Sequence, residues 1–133
     1  MTDSGQSLKE AKDEVRTGVD DLTGIMLKSA SALLFAHGGA MLACLSQLKE
    51  YDTNPHLKHI GLIIAAFAAG FILAALAYIE IALGRAKLML GVLKADPKAF
   101  LPMPLNRAAL FLYISVGILL LAVLGVAWWF VWL

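Results

Sequence analysis

The side chains with the widest chemical range in this sequence are its three histidines, His37, His56 and His59. His37 stands in "LLFAHGGAMLACL", residues 33–45, where two adjacent glycines interrupt an otherwise apolar run. A neutral imidazole donates one hydrogen bond and accepts another, so in an apolar setting it needs partners from neighbouring segments. The candidate partners are the hydroxyl groups of the apolar runs or the same histidine of another subunit: Ser31, Ser46, Tyr78, Tyr113, Ser115, or a second His37.

His56 and His59 lie in "KEYDTNPHLKHI", close to Glu50 and Asp52. These four side chains are possible metal ligands, but their spacing is not that of HxxxH or paired-cysteine zinc sites. A solvated polar turn is the simpler interpretation. Phosphate-binding glycine loops, nucleophile elbows and paired carboxylates are absent from the sequence, and it has one cysteine, Cys44. We therefore predict a protein that is not an enzyme, with no catalytic residues, no metal and no cofactor.

The composition is that of a membrane protein. Of the 133 residues, 60% are hydrophobic and 16% are charged, whereas soluble domains are about 45–50% apolar and about 25% charged. The formal net charge of +1 provides no basic patch of the kind that nucleic acids require. The predicted partners are the lipid bilayer and other membrane proteins, and no nucleic acid.

Three apolar runs are long enough to cross a hydrocarbon core, which takes about 20 helical residues; they are 29–48, 60–84 and 108–133. Backbone groups in lipid must be satisfied within their own segment, which selects helices. The predicted fold is therefore an all-α integral membrane protein with three transmembrane helices preceded by a cytoplasmic amphipathic helix. Its predicted parts are a cytoplasmic N-terminal amphipathic helix (1–24), transmembrane helix 1 (25–48), an outer loop (49–59), transmembrane helix 2 (60–84), a cytoplasmic helix extension with a proline-containing loop (85–107) and transmembrane helix 3 (108–133).

The basic residues predict the orientation. Nine Lys and Arg residues lie in the N-terminal segment and the second connector, against two in the first connector. By the positive-inside rule, the N-terminus faces the cytoplasm of a bacterial inner membrane and the C-terminus faces the periplasm or exterior. The third run ends in tryptophans, the ring type that anchors at membrane interfaces: Trp128, Trp129 and Trp132.

Depth along the helices distinguishes the intramembrane polar residues from one another. At about 1.5 Å per residue, Lys28 and Glu80 fall at similar depths near the cytoplasmic boundary, whereas His37 falls near the middle of the bilayer. An acid near the interface favours an ion pair between Lys28 and Glu80, with pairing to Arg85 or snorkelling as alternatives. His37 is therefore the candidate intramembrane polar site. A ring of His37 side chains in a homo-oligomer would provide the titratable groups that a proton channel needs.

Small residues predict where the helices pack, since lipid supplies no hydrophobic force between helices and close backbone approach must replace it. Gly38 and Gly39 provide a small face on the first run, and Ala66, Gly70 and Ala74 provide one on the second. We expect these two helices to form a close antiparallel pair. The third run, rich in Leu and Val, is expected to face lipid or another subunit.

The N-terminal segment has a narrow apolar stripe at spacings of three and four: Leu8, Ala11, Val15, Gly18 and Leu22. This spacing predicts an amphipathic helix. One interpretation is a surface helix that lies against the rest of the protein, where it could cover the apolar side chains after residue 85. The other is a self-associating helical bundle.

In "FAHGGAMLACLSQL" the first run resembles a motif of uncharacterised small bacterial inner-membrane proteins, in which Asn or His precedes Gly-Gly-Ala in the first membrane helix. The second run, in "FAAGFILAALAYI", is similar to the helix that follows in those proteins. The resemblance implies a bacterial, stand-alone helical membrane protein and no particular activity.

The sequence therefore predicts a non-enzymatic membrane protein that acts through self-assembly, as a homo-oligomer, or as a component of a larger membrane complex. Two alternatives remain. One is an oligomeric pore or ion channel, like a holin or a toxin or defence effector, although the predicted orientation and the "AWWFVWL" end differ from three-span holins. The other is an accessory subunit of a transporter or respiratory complex.

Overall fold

The computed structural model describes residues 3–47, 60–94 and 103–131. Over these residues the chain forms three α-helices, α1 (Asp3–Ser46), α2 (Ile60–Lys94) and α3 (Met103–Val131). All three are long and apolar enough to cross a membrane, which confirms the predicted all-α membrane fold. The predicted outer loop, 49–59, lies outside the described residues.

The first helix is continuous from the charged N-terminal segment into the first apolar run. Its 44 residues correspond to about 66 Å, whereas a hydrocarbon core needs about 30 Å. The predicted boundary after residue 24 is not a break in the helix, which passes through that position without interruption. Gly24 is the weakest helix former there, and it costs only about 1 kcal/mol in a helix that contains no proline.

The ends of the other two helices follow from their prolines. As predicted, α2 continues beyond its apolar run, and it reaches Lys94, three residues before Pro97. The third helix begins at Met103, five residues before the predicted start at Ala108. Pro104 therefore lies in its first turn, a position where proline is tolerated because the backbone N–H has no intrahelical acceptor.

The second helix packs against both of the others, while α1 and α3 contact each other far less. Helices α1 and α2 are antiparallel, since Asp20 meets Arg85 and His37 lies against Gly70. Helices α2 and α3 are also antiparallel, since Ala108 clusters with Ile81 and Ser115 bonds to Gly70. The expectation that the third helix mainly faces lipid or another subunit is only partly correct. Its outward side exposes bulky apolar residues, but α2 packs against α3 at least as extensively as against α1.

The residues that join the helices repeat every seven positions. Helix α2 buries two such series, 60, 67, 74, 81 and 70, 77, 84, the pattern produced by knobs-into-holes packing. On α1 the buried series is Thr23, Ala30 and His37, and on α3 it is Ala108 and Ser115. Ala30, Ile81 and Ala108 form one cluster in which all three helices meet. The next contact layer, two turns along α1 and α3, is centred on His37.

The apolar stripe of the N-terminal segment is exposed, because Ala11, Val15, Gly18 and Leu22 all lie on an open face of α1. The interpretation in which this stripe lies against the rest of the protein is therefore wrong for these four residues; the side chain of Leu8 is outside the described part. The reason is the continuity of α1. Since one rigid helix keeps a single rotational phase, burying Ala30 and His37 turns the stripe away from α2.

Candidate functional site: a buried histidine at the junction of three helices

The His37 side chain is completely buried between α1, α2 and α3. Its ring lies flat against the backbone of α2 at Gly70, and a Cβ atom at Gly70 would overlap with the ring atoms. Glycine at position 70 is thus required for a close approach between a ring and a backbone. Gly70 is one of the predicted helix-packing residues, and the group that packs against it is an imidazole ring.

Ser115 of α3 provides the polar partner of His37. The Nε2 atom of His37 lies 3.1 Å from the hydroxyl Oγ of Ser115 and 3.2 Å from its carbonyl oxygen. The same hydroxyl donates a hydrogen bond of 3.0 Å to the carbonyl oxygen of Gly70 on α2. Since the single hydroxyl proton is used at Gly70 and a carbonyl can only accept, Nε2 must be the protonated donor. The polar contacts thus determine the tautomer and connect all three helices.

The rest of the imidazole has apolar surroundings. Phe67 of α2 meets the ring edge to face, with centroids 6.1 Å apart and an interplanar angle of 63°. The Nδ1 atom is buried and has no hydrogen-bond partner among the described residues. An unsatisfied buried acceptor costs about 1–3 kcal/mol. Two hydrogen-bond contacts at Nε2 and the fit at Gly70 offset this cost.

This arrangement decides how His37 can act. Ser115 is one of the partners that the sequence made possible, and the structure selects it from the five hydroxyl groups. A side chain with no exposed surface cannot line a channel between subunits in this conformation. The geometry therefore favours a structural role, in which His37 and Ser115 determine the relative position of the three helices.

The other predicted packing residues divide between the interior and the surface. Ala74 is fully buried and Ala66 is half-buried. Gly38 faces Phe71, whose ring is 3.5 Å from the place of a Cβ atom, whereas a Cβ at Gly39 would meet nothing within 4 Å. The two adjacent glycines thus have different environments, since Gly38 packs against α2 and Gly39 is on the open face of α1.

An ion pair does join α1 and α2, but it lies at least one helical turn away from the predicted pair of Lys28 and Glu80. Arg85 Nη2 of α2 lies 3.2 Å from Asp20 Oδ1 of α1. The contact is electrostatic, because that oxygen has no hydrogen bond among the described residues. Lys28 is exposed and Glu80 is half-buried, and within the described part neither forms an ion pair. The predicted partner of Arg85 was Glu80 of its own helix, whereas the continuous α1 brings Asp20 beside Arg85.

An open apolar groove with a volume of about 340 Å³ separates α1 from α3 beyond His37. Phe67 forms part of it, so one aromatic ring borders both the buried histidine and the groove. Small residues of α1 line one side and aliphatic residues of α3 the other: Ala40, Ala43, Cys44, Val123, Val126 and Ala127. The groove exists because α1 and α3 make few contacts at this level.

Among the described residues, no group of three or more His, Cys, Asp or Glu side chains is placed to hold a metal ion. His56 and His59 lie outside the described part of the chain. Of the three predicted interface anchors, Trp128 is 68% exposed. The side chain of Trp129 and the whole of Trp132 lie outside the described part.

No protein-family model, no curated protein and no solved structure matches this chain. Function is therefore inferred from the geometry of the described residues.

Proposed function

We propose that this chain is a non-enzymatic component of a bacterial inner membrane that acts by assembling with copies of itself or with a larger membrane complex. In this proposal the N-terminus and the extension of α2 are cytoplasmic, and the C-terminus is on the other side. The three spanning helices provide an anchor of fixed geometry, and the N-terminal part of α1 provides a surface for assembly.

The observation that carries the proposal is the exposed stripe on the charged N-terminal part of α1. Val15 and Leu22 are 53% and 51% exposed, and they lie on one face with Ala11 and Gly18. Because charged residues surround this stripe, we place it in water rather than in lipid. Burial of the exposed half of each large side chain by a partner would contribute on the order of 1 kcal/mol.

The buried polar cluster supports the same conclusion. His37, Ser115 and the Gly70 carbonyl are hydrogen-bonded to one another across three helices, so the His37 side chain helps to hold the bundle together. A protein that presents one rigid outer surface to a partner requires such a fixed interior.

The experiment is a mass measurement on the full-length protein, in nanodiscs and in a mild detergent. We expect an assembly larger than one chain, or a co-purifying membrane protein. The double variant Val15→Ser/Leu22→Ser should reduce the assembled fraction at least several-fold. The control variant Glu10→Ser/Asp13→Ser changes exposed residues away from the stripe and should leave assembly intact. A monomer with no co-purifying protein would contradict the proposal.

A pore remains the alternative outcome, and it is measured separately. Induced expression with a voltage-sensitive dye would show rapid depolarisation if the chain forms pores. The His37→Leu variant would then abolish the depolarisation only if the histidine leaves its buried position and lines the pore. Unchanged membrane potential at high expression would count against a pore and leave the assembly proposal standing.

A further inference from the structure

The open face of α1 continues far beyond the N-terminal stripe. With the same alternation of three and four, it passes through eleven positions, all of them exposed. We call these positions the α1 seam: Ala11, Val15, Gly18, Leu22, Ile25, Ser29, Ala32, Ala36, Gly39, Ala43 and Ser46. We propose that the α1 seam is the contact surface for α1 of a second copy of this chain, in a parallel dimer that runs from the aqueous part of α1 through the membrane. This inference rests on the proposed function and specifies its partner.

The α1 seam contains large apolar residues in its charged part and small residues in its membrane part. This difference matches the different forces that join helices in water and in lipid. In the charged part, the seam contains Val15, Leu22 and Ile25, whose burial from water drives association. From Ser29 to Ser46 it contains only Ser, Ala and Gly, which let helix backbones approach closely in lipid. The two serine hydroxyl groups donate to carbonyls of their own helix, Ser29 to Ile25 and Ser46 to Ala43. They therefore leave no unsatisfied donor at a helix contact.

The exposed faces of the other two helices indicate what a lipid-facing surface looks like in this protein. Their exposed residues include large aliphatic and aromatic side chains, among them Leu62, Ile72, Leu110, Tyr113 and Leu121. The membrane part of the α1 seam has no such residue, although Phe35 and Leu42 flank it and are 82% and 65% exposed. Phe35 and Leu42 are seven residues apart, so both stand on the same side of the row of small residues. The small residues leave α1 open to close approach by another helix.

A second copy fits this seam better than an unrelated helix does. The partner helix must present one continuous contact face, with a heptad spacing, both in water and in lipid. Helix α1 itself has such a face. Copies inserted by the same route have the same topology, so their α1 helices run parallel and each seam residue meets its own counterpart across a two-fold axis. The flanking charges are compatible with this register. Glu14, Asp21 and Lys28 would each face an apolar residue of the other copy: Val19, Met26 and Leu33, respectively.

The size of the seam is sufficient for a specific contact. From residue 11 to residue 46 it is about 52 Å long at 1.5 Å per residue. A strip about 10 Å wide, roughly one helix diameter, covers on the order of 500 Å² on each copy. The pair would bury about 1,000 Å², near the lower size of specific interfaces. Because a heptad repeat drifts by about 20° per seven residues around a straight helix, the two helices would coil left-handed around each other.

The test is disulfide cross-linking in native membranes, with Cys44→Ala as the background so that each variant has one thiol. Cysteines replace Val15, Leu22, Ala32 or Gly39 in the seam, and Asp13, Leu62 or Leu121 as exposed controls. After oxidation, we expect dimer bands at least fivefold stronger at the seam positions than at the controls. The cross-linking positions should follow one continuous face of α1 before and after Ile25. Dimer bands of equal strength at the control positions would contradict the proposed dimer contact. So would strong bands at Val15 and Leu22 without strong bands at Ala32 and Gly39.

A matched pair of glycine variants tests the seam without cysteines. A Cβ atom would meet nothing within 4 Å at Gly39 or at Gly125 of α3, so Gly39→Leu and Gly125→Leu should both fold. In the proposed dimer, only Gly39→Leu separates the helices, and it should lower the dimer fraction about tenfold. If Gly39→Leu and the cysteines have no effect while the protein still assembles, the seam is wrong and the proposed function stands. A monomeric wild-type chain would contradict both.

Discussion

The contact between His37 and Gly70 allows the sharpest test of the bundle interior. Replacing Gly70 by alanine adds one methyl group, and that Cβ atom would overlap with the imidazole ring. The ring cannot move away freely, because Ser115 holds its Nε2 and Phe67 packs against its edge. We expect Gly70→Ala either to displace α2 from α1 or to rotate the ring away from Ser115.

The expected magnitude follows from three effects. Overpacking of a core costs about 1–3 kcal/mol, and loss of the hydrogen bonding at Nε2 costs about 1 kcal/mol more. Alanine is the better helix former by about 1 kcal/mol, which acts in the opposite direction. The free energy of unfolding should therefore fall by about 1–3 kcal/mol.

The assay is unfolding of the purified protein by SDS titration in mixed micelles, followed by circular dichroism or by tryptophan fluorescence. Gly117→Ala is the matched control, because this glycine is on α3 only two residues from Ser115 and a Cβ there meets nothing within 4 Å. It should be neutral or slightly stabilising. A cycle with His37→Ala isolates the contact, since Gly70→Ala should then show only the helix-propensity gain of about 1 kcal/mol, and the coupling energy should be about 2–4 kcal/mol.

Two results would refute this reasoning. If Gly70→Ala is as stable as Gly117→Ala, the ring does not lie against the backbone of α2. If Gly70→Ala costs the same with and without His37, the penalty comes from another neighbour. In either case, the contact of the His37 ring with Gly70 would not be what joins α1 to α2 at this level.

Three other predictions concern the Ser115 hydroxyl, the ion pair between Asp20 and Arg85, and the proposed orientation. Ser115→Ala removes the hydroxyl and keeps the backbone carbonyl, and it should lower the free energy of unfolding by about 1–2 kcal/mol in the same SDS titration; no loss would mean that the Ser115 hydroxyl does not contribute to holding His37. Asp20→Asn should lower the free energy of unfolding by about 1 kcal/mol or less, and the exchanged pair Asp20→Arg/Arg85→Asp should restore it. High salt should reduce the difference in stability between the wild type and Asp20→Asn. Alkaline phosphatase fused after Leu133 should be active, and the same enzyme inserted in the 95–102 segment should be inactive; the reverse pattern would contradict the proposed orientation.

The sequence was sufficient to predict the three helices that span the membrane and the extension of α2. Hydropathy and length determine these features, and neither depends on how the helices face one another. It also placed His37 near the middle of the bilayer, and Gly70 and Ser115 in the other two spans. That these three residues meet depends on the rotation of each helix about its axis, which hydropathy does not determine. Five hydroxyl groups were therefore equally possible partners of His37.

The continuity of α1 was not predicted from the sequence, and it explains two differences between the predictions and the structure. The change in composition near residue 24 predicts a boundary between two segments, but no proline or pair of glycines interrupts the backbone there, and the helix continues through it. Once α1 is a single helix, the phase of its charged part follows from the phase of its apolar part. The ion pair with Arg85 and the outward direction of the stripe both result from this continuity.

The position of Ser115 on the last helix has a consequence for biogenesis. His37 precedes its partner by 78 residues, a distance that synthesis at about 5–20 residues per second covers in roughly 4–16 s. During that interval α1 and α2 enter the bilayer with an imidazole N–H that lacks its final acceptor. Until α3 arrives, the hairpin of α1 and α2 has a polar N–H without its protein acceptor, and an unsatisfied buried donor costs about 1–3 kcal/mol.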